Sequence, residues 1–274
     1  MSALGTIATK EFRDGLRNNW VAGATLLLAA LAFALTFLGS SPTGLLDVKP
    51  LAVTVVSLSS LTIFLIPLIA LLLGYDAIVG EAERGCLLLL LTYPVSRLEI
   101  LVGKFLGHMA ILAFAAIVGY GAAGVAAALT GGGDAASWRA FAGLIVSTIL
   151  LGLAFLALAY LISVLVKERS TAAGLAVAVW LLFVIVYDLA LMGALVASKG
   201  RIGSEIFPNL LLLNPADVYR LFNLTAFENI RKFSGMAGLS ASVHFPPAVL
   251  LVVLVAWIAA PLGIAASVFA RREA

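Results

Sequence analysis

Charged positions along this chain crowd into short segments, and long apolar runs separate them. Six runs, 18–46, 50–75, 105–133, 140–166, 170–198 and 233–270, hold no Asp, Glu, Lys or Arg except Asp188. A helix needs about 20 mostly apolar residues to cross a ~30 Å hydrocarbon core, and every run is long enough. A core helix of a soluble protein would return a polar face every few residues, and none of these runs does. The pattern predicts an all-α integral membrane fold with six transmembrane helices. The spans are placed near 20–40, 51–74, 105–129, 140–166, 172–198 and 247–270, so the transmembrane domain covers 20–270.

The residues before the first span have a different pattern. Leu4, Ala8, Phe12, Leu16 and Trp20 recur every fourth position, with Lys10, Arg13, Asp14 and Arg17 between them. That spacing predicts an amphipathic helix over 1–19 lying on membrane lipid at the interface. The apolar run that follows is longer than the roughly 7–15 residues of a signal-peptide core, and no small-x-small site closes it. It is expected to remain as a span. Spans three and four are rich in small residues, among them Gly119, Gly121, Gly124, Gly143, Ser147 and Gly152, which let membrane helices approach closely. These two spans are expected inside the bundle.

Composition agrees with the pattern, with mean hydropathy +1.14 and 63% hydrophobic residues. Charge adds orientation. Of 17 basic residues, Lys10, Arg13, Arg17, Arg84, Arg97, Lys104, Lys167, Arg169, Arg271 and Arg272 fall on one side, while the opposite short loops hold only Lys49 and Arg139. The excess of positive charge puts both termini of this multi-pass chain in the cytoplasm. The net charge of +3 comes from residues flanking spans rather than from a patch, so no nucleic-acid partner is indicated. The one cysteine, Cys86, lies on the cytoplasmic side, where disulfides are rare.

Two segments outside the spans are too long to be plain connectors. In the cytoplasmic segment 75–104, Ser96 and Glu99 have the spacing of a capping box that starts the next helix near residue 97. Pro94 ends the one before it. A short helix is expected over 81–92, with Glu81 and Glu83 at its positive N-terminal end. The extracytoplasmic segment 199–246 is expected to hold short helices around 205–213 and 215–228. Asn214 caps the second and Pro215 takes its first position. Along it Val218, Leu221, Phe222 and Thr225 share one face, opposite Asp217, Arg220 and Asn223. Such an apolar stripe outside the membrane must be covered by lipid, by the bundle or by a partner.

Candidate chemistry is sparse. Gly80 and Gly85 have phosphate-loop spacing, but Cys86-Leu87 replaces the required Lys-Ser/Thr. No zinc-protease, nucleophile-elbow or cysteine-cluster motif is present, so the chain reads as a non-catalytic subunit without a nucleotide site of its own. Asp188 inside the fifth span costs roughly 3 kcal/mol on insertion scales. It is a candidate gate or cation ligand, or else a hydrogen-bonding partner for a neighbouring helix. His108-Met109 would be a meagre copper pair, because soft-ligand relays need several sulfur or imidazole donors. No metal site is assigned.

The pattern Glu81-x-Glu83-x-Gly85-x-Leu87, then Leu90-Leu91, Pro94 and Ser96-Arg97, followed by Gly103-Lys104-Phe105, resembles the ABC-2-type permeases, the membrane subunits of ATP-binding-cassette transporters. That family's common motif has Thr or Ser where this chain has Cys86. Lys10-Glu11 with Asp14 to Arg17, Tyr75-Asp76 to Glu81, and Leu211 to Leu221 resemble, more narrowly, permeases that serve maturation of nitrous oxide reductase. The resemblance implies a homodimer, with each subunit docked on a cytoplasmic ATP-binding subunit that carries the ATP and Mg. It also implies a periplasmic β-helix partner that handles copper. On this reading Glu81, Glu83, Arg84, Gly85, Leu87, Leu89 and Arg97 form the ATPase-coupling element. Asn214, Pro215, Asp217, Tyr219 and Arg220 face the periplasmic partner. Two other readings stand beside it: an ABC-2 exporter of a drug, lipid or polysaccharide, and a membrane scaffold that only anchors a periplasmic partner.

Overall fold

The computed structural model describes residues 3–38, 50–129, 135–198, 206–225 and 245–271, and within them every regular element is helical. The chain runs α1 (Ala3–Leu16), α2 (Asn19–Leu38), α3 (Pro50–Gly74), α4 (Val79–Glu83), α5 (Cys86–Leu91) and α6 (Arg97–Leu129). It continues through α7 (Ala135–Leu165), α8 (Arg169–Leu181), a π-helical turn Leu182–Val186, α9 (Tyr187–Ala197), α10 (Ile206–Leu211), α11 (Pro215–Thr225) and α12 (Pro247–Arg271). Among the described residues, five helices are long and apolar enough to span a membrane, and a sixth is counted if α1 and α2, which meet at 64°, form one broken span. The expected positions 39–49, 199–205, 226–244 and Arg272 lie outside the described residues.

Some boundaries differ from the expectation for local reasons. Ser96 and Glu99 close the expected box, the Ser96 N–H donating to Glu99 Oε2 at 2.8 Å and the Glu99 N–H to Ser96 Oγ at 3.2 Å. The third span therefore begins as α6 at Arg97, well before its apolar run. The single helix expected over 81–92 is two, because Gly85 takes φ 70° and interrupts it. An L side chain there would cost roughly 1–2 kcal/mol, so glycine makes this corner.

Helix α7 is the most enclosed of the span candidates and the centre of the core, with Leu151, Phe155, Leu156 and Tyr160 fully buried. Helices α3 and α12 pack on it, and α1 and α2 lie along α6. The seat of α1 depends on missing side chains in α6: a Cβ at Gly107 would come within 2.5 Å of Glu11 Cβ and 2.9 Å of the Ala8 carbonyl. The stripe of α1 that meets α6 therefore passes through Ile7, Ala8, Glu11 and Gly15, while Leu16 is exposed. A four-residue step advances about 40° beyond a full turn, so the expected row starts beside α6 at Leu4 and Ala8 and has left the contact by Leu16.

The start of α6, the end of α12 and α1 gather at one end of the bundle, where Arg97 donates to the Phe269 carbonyl at 3.2 Å. The α10–α11 hairpin closes the opposite end. Asn214 caps α11 as expected, accepting from the Ala216 N–H at 3.0 Å. The polar face expected on α11 is not turned to water, however: Asp217 and Asn223 are buried alongside Val218 and Tyr219. Burial is tolerated because each polar group finds a partner, Asn223 on Ser147 and Asp217 on Asn214 and Arg220.

Candidate functional sites at the two ends of the bundle

At the terminal end, three helices converge on one cation. Lys104 of α6 reaches Glu11 Oε1 of α1 and Glu81 Oε1 of α4, each at 2.7 Å, and its side chain is only 4% exposed. Burial pushes the Glu11 carboxyl up, and the Lys104 ammonium more than offsets it, leaving it below the usual carboxylate range. One turn further along α6, His108 Nε2 stands 3.9 Å from Glu11 Oε2 while Nδ1 bonds the Tyr160 hydroxyl at 2.7 Å. Sequence reasoning placed Glu81 at a partner-facing surface. The structure turns it inward, and its Oε2 is buried without a partner among the described residues.

The rest of the coupling segment is tied down by distant groups. Ser163 Oγ, on α7, accepts from the N–H groups of Ile78 and Val79 at 3.0 and 3.1 Å, so it caps α4 from another helix. Arg169 at the start of α8 pairs with Asp76 at 2.9 Å, and its N–H donates to Glu83 Oε1 at 2.6 Å. The remaining expected coupling residues divide. Arg84 and Leu89 are exposed, Leu87 packs partly on the core, and Arg97 also lies over the Phe269 ring. Leu88, Leu89, Tyr93 and Leu98 are exposed, and Leu89 and Tyr93 line a 390 Å³ groove together with Ile7, Lys10, Arg84 and Leu90 among others.

At the hairpin end, the residues expected to act separately are brought together. Arg220 donates to Asp217 Oδ1 at 2.6 Å and to Asp188 Oδ2 at 2.9 Å. Asp188, the candidate gate, therefore holds α9 to α11. Asn214 donates to Asp217 Oδ2 at 3.0 Å and to the Phe183 carbonyl of the π turn at 2.8 Å. Tyr187, next to Asp188, donates to the Leu210 carbonyl at 2.7 Å. Tyr219, expected at a partner surface, is fully buried against Thr148 at 3.3 Å. Its large apolar ring and single hydroxyl suit a core position with one polar neighbour. Of the residues assigned to a partner, Arg220 keeps the most exposure, at 25% of its side chain.

Sequence reasoning missed Glu11, Ser163, Asp76 and Arg169 as organisers of the terminal end. Glu11 and Asp76 stood inside the recognised motifs, but nothing local indicated their partners. Among the described residues, no group of three or more His, Cys, Asp or Glu is placed to hold a metal ion.

The comparisons with known proteins agree with this architecture. Residues 5–274 match the model of the family described as ABC-2 family transporter protein. A relative from Stutzerimonas stutzeri, named probable ABC transporter permease protein NosY, is 49% identical over 274 residues and 99% of both chains. One of the same name from Pseudomonas aeruginosa is 46% identical over the same share. This multi-span membrane chain belongs to the ABC-2 family of transporter permeases.

Proposed function

We propose that this chain is the membrane subunit that couples cytoplasmic ATP hydrolysis to maturation of the copper centres of nitrous oxide reductase, by transport or by force transmission. Its likeness over full length to permeases named NosY supports the reading. On this reading it works as a homodimer in the bacterial inner membrane with both termini in the cytoplasm. A NosF-like subunit binds ATP and Mg and does the hydrolysis. A NosD-like β-helix protein handles copper in the periplasm, and this chain binds no cofactor itself.

The observation that carries the coupling is the Lys104 bridge between α1, α4 and α6. The exposed Leu88, Leu89 and Tyr93 are the docking surface, and Arg84 and Glu83 flank it. Gly85 sets the corner that presents α5. A push on α5 passes through α4 and Lys104 into the long helix α6, and through Ser163 into α7. At the other end, among the described residues, α11 is the element offered to a periplasmic partner, through Arg220 rather than the buried Pro215.

The test is reconstitution with the ATP-binding subunit. Leu89→Asp puts a carboxylate in the docked surface, where an unpaired charge costs several kcal/mol. ATP hydrolysis stimulated by the permease and copper loading of the reductase are both expected to fall at least tenfold, with membrane insertion unchanged. Wild-type values for both would reject α5 as the coupling element.

A further inference from the structure

The cluster at the hairpin end has two carboxylates and one cation. Arg220 spends one nitrogen on Asp217 and another on Asp188. Asp217 is 2% exposed, and Asp188 keeps an oxygen, Oδ1, that is buried with no hydrogen-bond partner among the described residues. A largely enclosed cluster with a net negative charge and an empty acceptor is unfavourable unless a cation or a proton enters. Arg220 already bridges the two carboxylates as their cation, and a proton needs no room.

Among the described residues, the surroundings do not supply the missing charge. Helix α11 packs on α3, α7, α12 and the π turn, and α9 approaches through Asp188. Tyr187 on α9 is the other titratable neighbour. Helix α3 carries no ionisable residue, α12 carries only Arg271 at its far end, and Arg139 of α7 lies by Phe222 and Asn223 instead. Asp188 and Arg220 are each about a quarter exposed, so protons can exchange with the solvent on that side.

We propose that Asp217 holds a proton donated toward Asp188, and that this proton latches the α10–α11 hairpin onto the α8–α9 span. Loss of the proton leaves two carboxylates on one guanidinium and loosens the latch. The electrostatics agree: burial, Arg220 opposing and Asp188 adding, sets the Asp217 carboxyl at about 7 against an ordinary 3.8. A carboxyl raised in the folded state favours docking below pH 3.8 and loses that contribution as pH climbs to about 7. The Asn214 amide that bonds Asp217 also bonds the Phe183 carbonyl, so loosening reaches the π turn. Such turns often mark functional positions in helices.

The test uses the full chain in lipid nanodiscs. Infrared titration should show a carboxylic carbonyl band lost as pH rises through about 7, and Asp217→Asn should abolish it. Hydrogen exchange of amides 210–224, corrected for its intrinsic pH dependence, should speed up about tenfold between pH 5.5 and 8 in the wild type. It should stay slow and flat in Asp217→Asn. Asp188→Asn removes the opposing carboxylate and should move the band's midpoint to lower pH. A wild type with no band titrating near 7, or a band that survives Asp217→Asn, overturns the latch. The wild-type titration decides even if Asp217→Asn fails to fold.

Discussion

Both ends of the bundle place one cation between two carboxylates, yet the two clusters behave oppositely. Lys104 sits between Glu11 and Glu81 at equal distances of 2.7 Å, and Glu11 is held below the usual carboxylate range. Arg220 sits between Asp217 and Asp188, and Asp217 is raised to about 7. The difference lies in what stands around each carboxylate. Glu11 has Lys10 and His108 nearby in addition to Lys104, whereas Asp217 is more deeply enclosed and faces a second carboxylate. Charge count alone does not decide protonation; enclosure and the next neighbour do. The terminal cluster is a fixed strut and the hairpin cluster is a titratable one.

The strongest way to break this contrast is Lys104→Met. It strands two largely buried carboxylates, and removing one member of a buried pair typically costs about 3–5 kcal/mol. Thermal unfolding in detergent should show that loss in full at pH 8 and less of it at pH 6, because burial without Lys104 pushes the Glu11 carboxyl up. An unfolding midpoint equal to the wild type's at pH 8 would show that Lys104 is no strut.

Ser163→Ala should come next. It leaves the buried N–H groups of Ile78 and Val79 without an acceptor, at about 1–3 kcal/mol. The same unfolding measurement should find this cost independent of pH, and faster amide exchange should be confined to the start of α4.

Arg220→Met should cost less, about 1–2 kcal/mol at pH 8, because its side chain is partly solvated. The cost should shrink at pH 5.5, where Asp217 carries its proton. Equal loss at both pH values would remove the distinction between the ends. Gly85→Ala should be mildest, at about 1 kcal/mol from its left-handed backbone, since a Cβ there meets nothing within 4 Å. An unchanged unfolding midpoint would show that the corner relaxes freely.

Much of this fold was legible because its signals are local. Apolar runs gave the spans, and Ser96 with Glu99 gave the start of α6. Asn214 and Pro215 gave the start of α11. The clusters were not legible, because their members are far apart in sequence: 93 residues separate Glu11 from Lys104, 85 separate Ile78 from Ser163 and 32 separate Asp188 from Arg220. Asp188 at least stood out as a charge in an apolar run. Lys104 did not, because it sits near the membrane edge where basic residues are ordinary. The polar row of α11 misled for a related reason: periodicity shows that Asp217 and Asn223 share a side, and only the neighbouring Ser147, Asn214 and Arg220 show that this side is buried.

The central claim is that α4 and α5 transmit the work of the ATP-binding subunit through Glu81 and Lys104. The most direct measurement is the copper content of nitrous oxide reductase matured in cells whose only permease carries Glu81→Ala. The permease should reach the membrane and copurify with the ATP-binding subunit at wild-type levels, while the reductase is left largely without copper. A fully copper-loaded reductase from those cells would contradict the claim.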